Sequence, residues 1–144
     1  MGGSVGPTRM KATARRDGGG FRHSIQLNDH QLTVDEPLAV GGEDAGPSPQ
    51  ELLAVSLASC TAITMEMYAA RKGWEIGHVE VDVEYSPAER GCPTKFELVV
   101  RLPDDLPEDQ VDRLRAIAAK CPVHRVLDGE VMFLERVERV HMAA

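Results

Sequence analysis

Between Pro49 and Ala70 only Glu51 and Glu66 carry charge, and apolar residues fall on nearly every face of the helix this stretch predicts. Ser48 is placed to cap that helix and Pro49 suits its first turn. Arg71 and Lys72 suit its last turn, and Gly73 offers a stop. Upstream, short β-compatible runs alternate with turn residues. Thr8 to Arg15, Phe21 to Leu27 and Gln31 to Val34 predict an antiparallel meander around the turns Asp17-Gly18-Gly19-Gly20 and Asn28-Asp29-His30. A glycine-rich loop, Gly41 to Gly46, leads into the helix. Downstream, His78 to Tyr85 sets Val79, Val81, Val83 and Tyr85 on one face, and Lys95 to Leu102 does the same with Phe96, Leu98 and Val100. These predict neighbouring strands joined by a Pro/Gly/Cys loop. Glu108 to Lys120 predicts an amphipathic helix through Val111, Leu114, Ile117 and Ala118, and Pro122 interrupts it. Val123 to Leu127 predicts a last helical turn, and Glu130 to Val140 a closing strand.

A helix apolar on most faces needs cover on most faces, which one domain of 144 residues supplies poorly. Burial in a homodimer is the expectation. The chain reads as a single domain, with residues 1–9 as a flexible segment. The uncharged run Leu52 to Met65 is shorter than the roughly 20 residues of a spanning helix, so no membrane partner is expected. With 16 basic against 23 acidic residues the net charge is −7, which offers no attraction to nucleic acid or anionic lipid. The N-terminus lacks the basic and apolar regions of a secretory signal, so a cytoplasmic location is expected.

Chemistry concentrates on cysteine. Cys60 lies in the uncharged run and Cys121 opens Cys121-Pro122-Val123-His124. A thiol in apolar surroundings is an inert core residue or a nucleophile with an electropositive partner, because only the thiolate reacts. Cys92, between Gly91 and Pro93, reads as an incidental exposed thiol. Cys121 and His124 have the spacing of half a zinc site, but no second pair follows. Nucleotide-binding and serine-hydrolase motifs are absent. No cofactor or metal is called for.

Arg16-Asp17-Gly18 in an N-terminal turn, Gly46-Pro47-Ser48-Pro49-Gln50-Glu51-Leu52-Leu53 leading to Cys60, and the late Cys121-Pro122-Val123-His124 together resemble the superfamily of osmotically inducible and organic hydroperoxide resistance proteins, OsmC/Ohr. The resemblance runs from about residue 10 to residue 140. It implies an α+β fold, an intertwined homodimer with antiparallel sheets wrapped around long central helices, and active sites at the subunit interface. It also implies thiol-dependent reduction of organic hydroperoxides. Cys60 would be the peroxidatic thiolate, Cys121 the resolving cysteine, and Arg16 the activating cation. An external dithiol, of lipoyl type, would return the electrons. Leu52, Leu53, Met65 and Met67 are candidates for an apolar wall.

The chain departs from the family's pattern at one point. Ser48-Pro49-Gln50 stands where the peroxidases carry Asn-Pro-Glu, so the carboxylate that orients the arginine becomes the amide of Gln50, and Glu51 follows one residue later. One helical residue is a rotation of about 100°. Gln50 and Glu51 are both candidate partners of Arg16. Together with Arg71-Lys72-Gly73-Trp74 and Cys121-Pro122-Val123-His124-Arg125, this resembles a less characterised OsmC-like branch of redox proteins. The alternative function is a non-enzymatic ligand-binding or redox-sensing module on the same scaffold.

Overall fold

The computed structural model describes residues 9–141. The expectation of a flexible segment over residues 1–9 falls almost wholly outside them. The chain divides into two compact units, one of residues up to Ser56 with Asp82–Leu98, the other of Leu57–Val81 with residues from Val99 on.

In the first unit β1 (Ala12–Arg16), β2 (His23–Leu27) and β3 (His30–Val34) form the expected antiparallel meander in the order β1-β2-β3. Ala12 pairs Leu27 and Arg16 pairs His23 across the first ladder, and His23 pairs Val34 across the second. The two-residue loop between β2 and β3 puts Asn28 at a φ of 53°, a left-handed conformation that asparagine tolerates. Between β1 and β2, the Asp17 N–H donates to the Arg22 carbonyl at 2.9 Å. Arg22 Nε donates back to the Asp17 carbonyl at 3.0 Å.

After β3 the chain is organised by a buried carboxylate. Asp35 accepts from the backbone N–H groups of Glu36 at 2.7 Å, Glu43 at 3.2 Å and Ala45 at 3.1 Å. Burial pushes this acid up, but those three amides and nearby Arg22 together hold it below its ordinary range. The loop closes on Gly46, where a Cβ would collide with the Thr33 carbonyl. Only glycine permits that approach.

The long helix α1 runs Pro49–Lys72 and stops where expected. Gly73 takes a φ of 70°, and the N–H groups of Gly73 and Trp74 return to the carbonyls of Ala70 and Ala69. Its buried residues, Leu57, Thr61, Met65 and then the adjacent Tyr68 and Ala69, follow one another at three- to four-residue steps and so form one stripe. Val55, Ile63 and Met67 remain more than half exposed. By length and composition alone α1 is apolar enough to cross a membrane, a test that core helices of soluble proteins also pass.

β4 (Glu80–Ser86) and β5 (Lys95–Arg101) pair as a two-stranded sheet, with Tyr85 stacked on Phe96 at 4.8 Å. The second unit has its core where Met65, Tyr68 and Ala69 of α1 meet Ile76 and Leu114, the last on α2 (Glu108–Ala118). Trp74 meets Tyr68 edge-on at 5.6 Å, and Arg113 Nε donates to the Tyr68 hydroxyl at 2.8 Å. That guanidinium lowers the Tyr68 phenol below its usual range. The short helix α3 spans Pro122–Leu127.

One expected element does not form. Residues 130–141 carry no ladder to any described strand, and Met132, Phe133, Leu134 and Val137 are each at least 80% exposed. Alternation fixes which side chains would share a face, but a strand exists only where a neighbour satisfies its amides and carbonyls. No described part of this chain does so.

Candidate active site

Ser48 and Glu51 meet at the start of α1 in a reciprocal cap. The Glu51 N–H donates to Ser48 Oγ at 3.1 Å, and the Ser48 N–H donates to Glu51 Oε1 at 2.9 Å. This is a capping box, and it satisfies two helix-end amides at once. The Ser48 amide and hydroxyl hold the Glu51 carboxyl below its ordinary range. Gln50 beside it is exposed.

Arg16 is the last residue of β1, opposite His23, and its side chain is exposed. Among the described residues, no hydrogen bond or ion pair joins it to Gln50 or Glu51. Beside its strand, Ala14, Phe21, His23, Ile25, Val34 and Pro49 line much of a cavity of about 300 Å³. Of the apolar candidates, Met65 is fully buried in the core, Leu52 is half-buried, and Leu53 and Met67 are exposed.

In the second unit the structure brings Cys60 and Cys121 together. Both are free thiols, Cys60 half-buried on α1 and Cys121 fully buried. Cys121 is the N-cap of α3, with Pro122 at the first helical position, and its sulfur accepts the His124 N–H at 3.3 Å. The Val123 amide, the Thr64 hydroxyl and Cys121 neighbour the Cys60 sulfur closely enough to act on its ionisation. Burial pushes the Cys60 thiol up, and Cys121 pushes it the same way. Val123 N–H and Thr64 pull against them, and the balance stays above the ordinary thiol value. Thr61, also fully buried, donates its hydroxyl to the Leu57 carbonyl at 2.7 Å and lies 3.8 Å from Cys121 Sγ.

Cys92 sits in the β4–β5 loop, exposed, its amide and carbonyl exchanged with those of Glu89 at 2.9 Å. Thr61, Thr64 and the Val123 amide are site groups the sequence reading does not single out. Thr64 had a signal, since it stands one helical turn from Cys60. The amide had another, because proline at the first position of a helix makes the preceding Cys121 its cap.

Chemically, the arrangement is a pair of free thiols in one neighbourhood, with amides and hydroxyls around them. The family model for OsmC-like protein matches residues 41–134. No curated protein matches the chain. Among solved structures, the chain is similar to the OsmC-like protein from Mycoplasma pneumoniae, at 20% identity and a TM-score of 0.70 over 85% of this chain and 89% of that one. It is similar to an organic hydroperoxide resistance protein from Elizabethkingia anophelis, at 21% identity and a TM-score of 0.65 over 85% and 90%. The organic hydroperoxide resistance protein OhrB of Bacillus subtilis matches at 26% identity and a TM-score of 0.58 over 85% and 92%. The mixed α and β architecture with antiparallel sheets is the one these proteins share. With its family model covering both cysteines, the chain belongs to the OsmC-like protein family.

Proposed function

We propose that this protein is a thiol-dependent peroxide reductase that acts on organic hydroperoxides, and more weakly on hydrogen peroxide, in oxidative or osmotic stress defence. The observation that carries the reading is that Cys60 and Cys121 are neighbours within an OsmC-like chain. The Cys60 thiolate attacks the O–O bond, giving a sulfenic acid and releasing an alcohol. Cys121 then attacks the Cys60 sulfur, forming the disulfide and releasing water. An external dithiol, of lipoyl type, reduces that disulfide and is itself oxidised.

Cys60, half-buried, is the sulfur a peroxide reaches first, while buried Cys121 resolves. Burial of Cys60 makes a cation necessary, and Arg16 is the one we assign. Gln50 can orient Arg16 through its amide oxygen without charge. The Glu51 carboxylate is already engaged in the cap. Homodimer formation is part of the proposal. The apolar tail from Val131 to Val140 and the exposed Val55, Ile63 and Met67 of α1 supply surface for a second copy.

The same Cys60 environment favours a second reading, a redox-sensing or ligand-binding module, because a thiol raised by burial offers little of the reactive thiolate. Stopped-flow oxidation of the reduced protein by cumene hydroperoxide and by hydrogen peroxide, with Cys60→Ser as control and mass mapping of the product, separates the two. Fast oxidation that needs Cys60, prefers the organic peroxide and ends in a Cys60–Cys121 bond is the expected result. Slow oxidation, or thiol loss indifferent to Cys60, selects the second reading.

A further inference from the structure

Tyr68 is buried near the end of α1, and three cations gather around it. Arg113 of α2 donates its Nε to the phenol oxygen at 2.8 Å, with its Cζ 5.6 Å from the ring centroid. Lys72 Nζ lies 5.6 Å from the same centroid and Arg71 Cζ 6.0 Å. The partial negative charge at a helix C-terminus accounts for Arg71 and Lys72 in the last turn of α1. It does not account for Arg113, which comes to the same ring from another helix. Among the described residues, no carboxylate forms an ion pair with any of the three. The acids nearest in the chain, Glu66 and Glu75 on one side and Asp109 and Asp112 on the other, are exposed. In a chain of net charge −7, this is a local excess of positive charge without a counter-ion.

A guanidinium only donates, so the phenol oxygen accepts in its bond with Arg113, and the Tyr68 O–H proton is left for another acceptor. Both Nη groups of Arg113 and the Lys72 ammonium are donors as well. Among the described residues, none of them has a hydrogen-bond acceptor. Arg113 and then Lys72 lower the Tyr68 phenol, the mark of a positive field at its oxygen.

We propose that the hydroxyl end of Tyr68, with Arg113, Lys72 and Arg71 around it, is a binding site for a phosphate group. A guanidinium fork, an ammonium and a phenol O–H are donors that one phosphate can satisfy together, because it presents at least three acceptor oxygens and more than one negative charge. A carboxylate presents two oxygens and one charge. Lys72 stands twelve residues beyond Cys60 on α1, about 18 Å of helix, so the site is separate from the thiol pair and independent of the peroxide reading.

The test uses the full chain at neutral pH, with ionic strength held constant by chloride. Phosphorus NMR follows the line of inorganic phosphate, and separately that of glycerol phosphate, against protein concentration. Saturable binding with a dissociation constant of about 1 mM or below is expected. Lys72→Ala, at an exposed position, and Arg113→Gln should each weaken it about tenfold, and Tyr68→Phe by less. Lys95→Ala removes the same charge from β5 and should leave binding unchanged. Tighter binding of glycerol phosphate assigns the site to a phosphomonoester, and equal or tighter binding of inorganic phosphate assigns it to the free ion. Either result supports the site. Absence of saturable binding by both probes overturns it, as does a Lys72→Ala protein that binds no more weakly than Lys95→Ala, or displacement of phosphate by an equal concentration of acetate.

Discussion

At the start of α1 a serine hydroxyl and a glutamate carboxylate exchange hydrogen bonds with each other's amides, whereas at the start of α3 a lone thiol receives one. Both arrangements answer the same need, since the first amides of any helix lack intrahelical partners. They differ in what else the capping atoms can do. The oxygens of Ser48 and Glu51 accept from helix-end amides and carry no thiol chemistry. The sulfur of Cys121 has a second thiol, that of Cys60, as its neighbour. In α3 the capping atom and the thiol we propose as the resolving one are the same sulfur.

Exchanging the capping atoms should separate these roles. The largest effect is expected from Cys121→Ser, which keeps a good cap but removes the resolving sulfur. Peroxide treatment should then stop at a Cys60 sulfenic acid with no intramolecular disulfide, read by mass spectrometry with dimedone trapping. A Cys60–Cys121 assignment is lost if such a variant still cycles with a dithiol at the wild-type rate.

Stability should respond in the opposite sense. Cys121→Ala and Ser48→Ala each remove a cap and are expected to cost about 1 kcal/mol in urea unfolding, while Cys121→Ser costs less. Equal losses from Ser and Ala at position 121 would show that the thiol does not cap α3.

A smaller effect follows from acid. Because Glu51 is held below its ordinary value in the folded chain, its contribution is present above the unfolded carboxyl range and fades as pH falls through the folded one. The stability difference between wild type and Glu51→Gln should therefore shrink between about pH 5 and pH 3. The smallest lies at the alkaline end. Cys60 is raised, so the folded chain retains a proton the unfolded chain has lost, and stability should decline above about pH 9. Cys60→Ser should flatten that decline.

Much of this was legible in the residues. Ser48, Pro49 and Gly73 marked both ends of α1, and turn residues spaced the meander, because caps and turns act over a few neighbouring residues. Cys121-Pro122 marked α3 for the same reason. What sequence reading misses depends on atoms far apart in the chain. Thr61 looks like any helical threonine until Cys121 is placed beside it, and Asp35 looks like a surface acid until three loop amides converge on it. The segment 130–140 fails differently, since its apolar pattern describes a strand without supplying the neighbour that makes one.

Trp74 has a practical consequence. It is the only tryptophan in the chain, and it packs edge-on against Tyr68 beside the core of the second unit. Excitation near 295 nm therefore reports on one half of the molecule and is blind to the meander that carries Arg16. A melting curve followed by fluorescence and one followed by far-ultraviolet circular dichroism will coincide only if both units come apart together, so a single aromatic side chain turns cooperativity into an optical measurement.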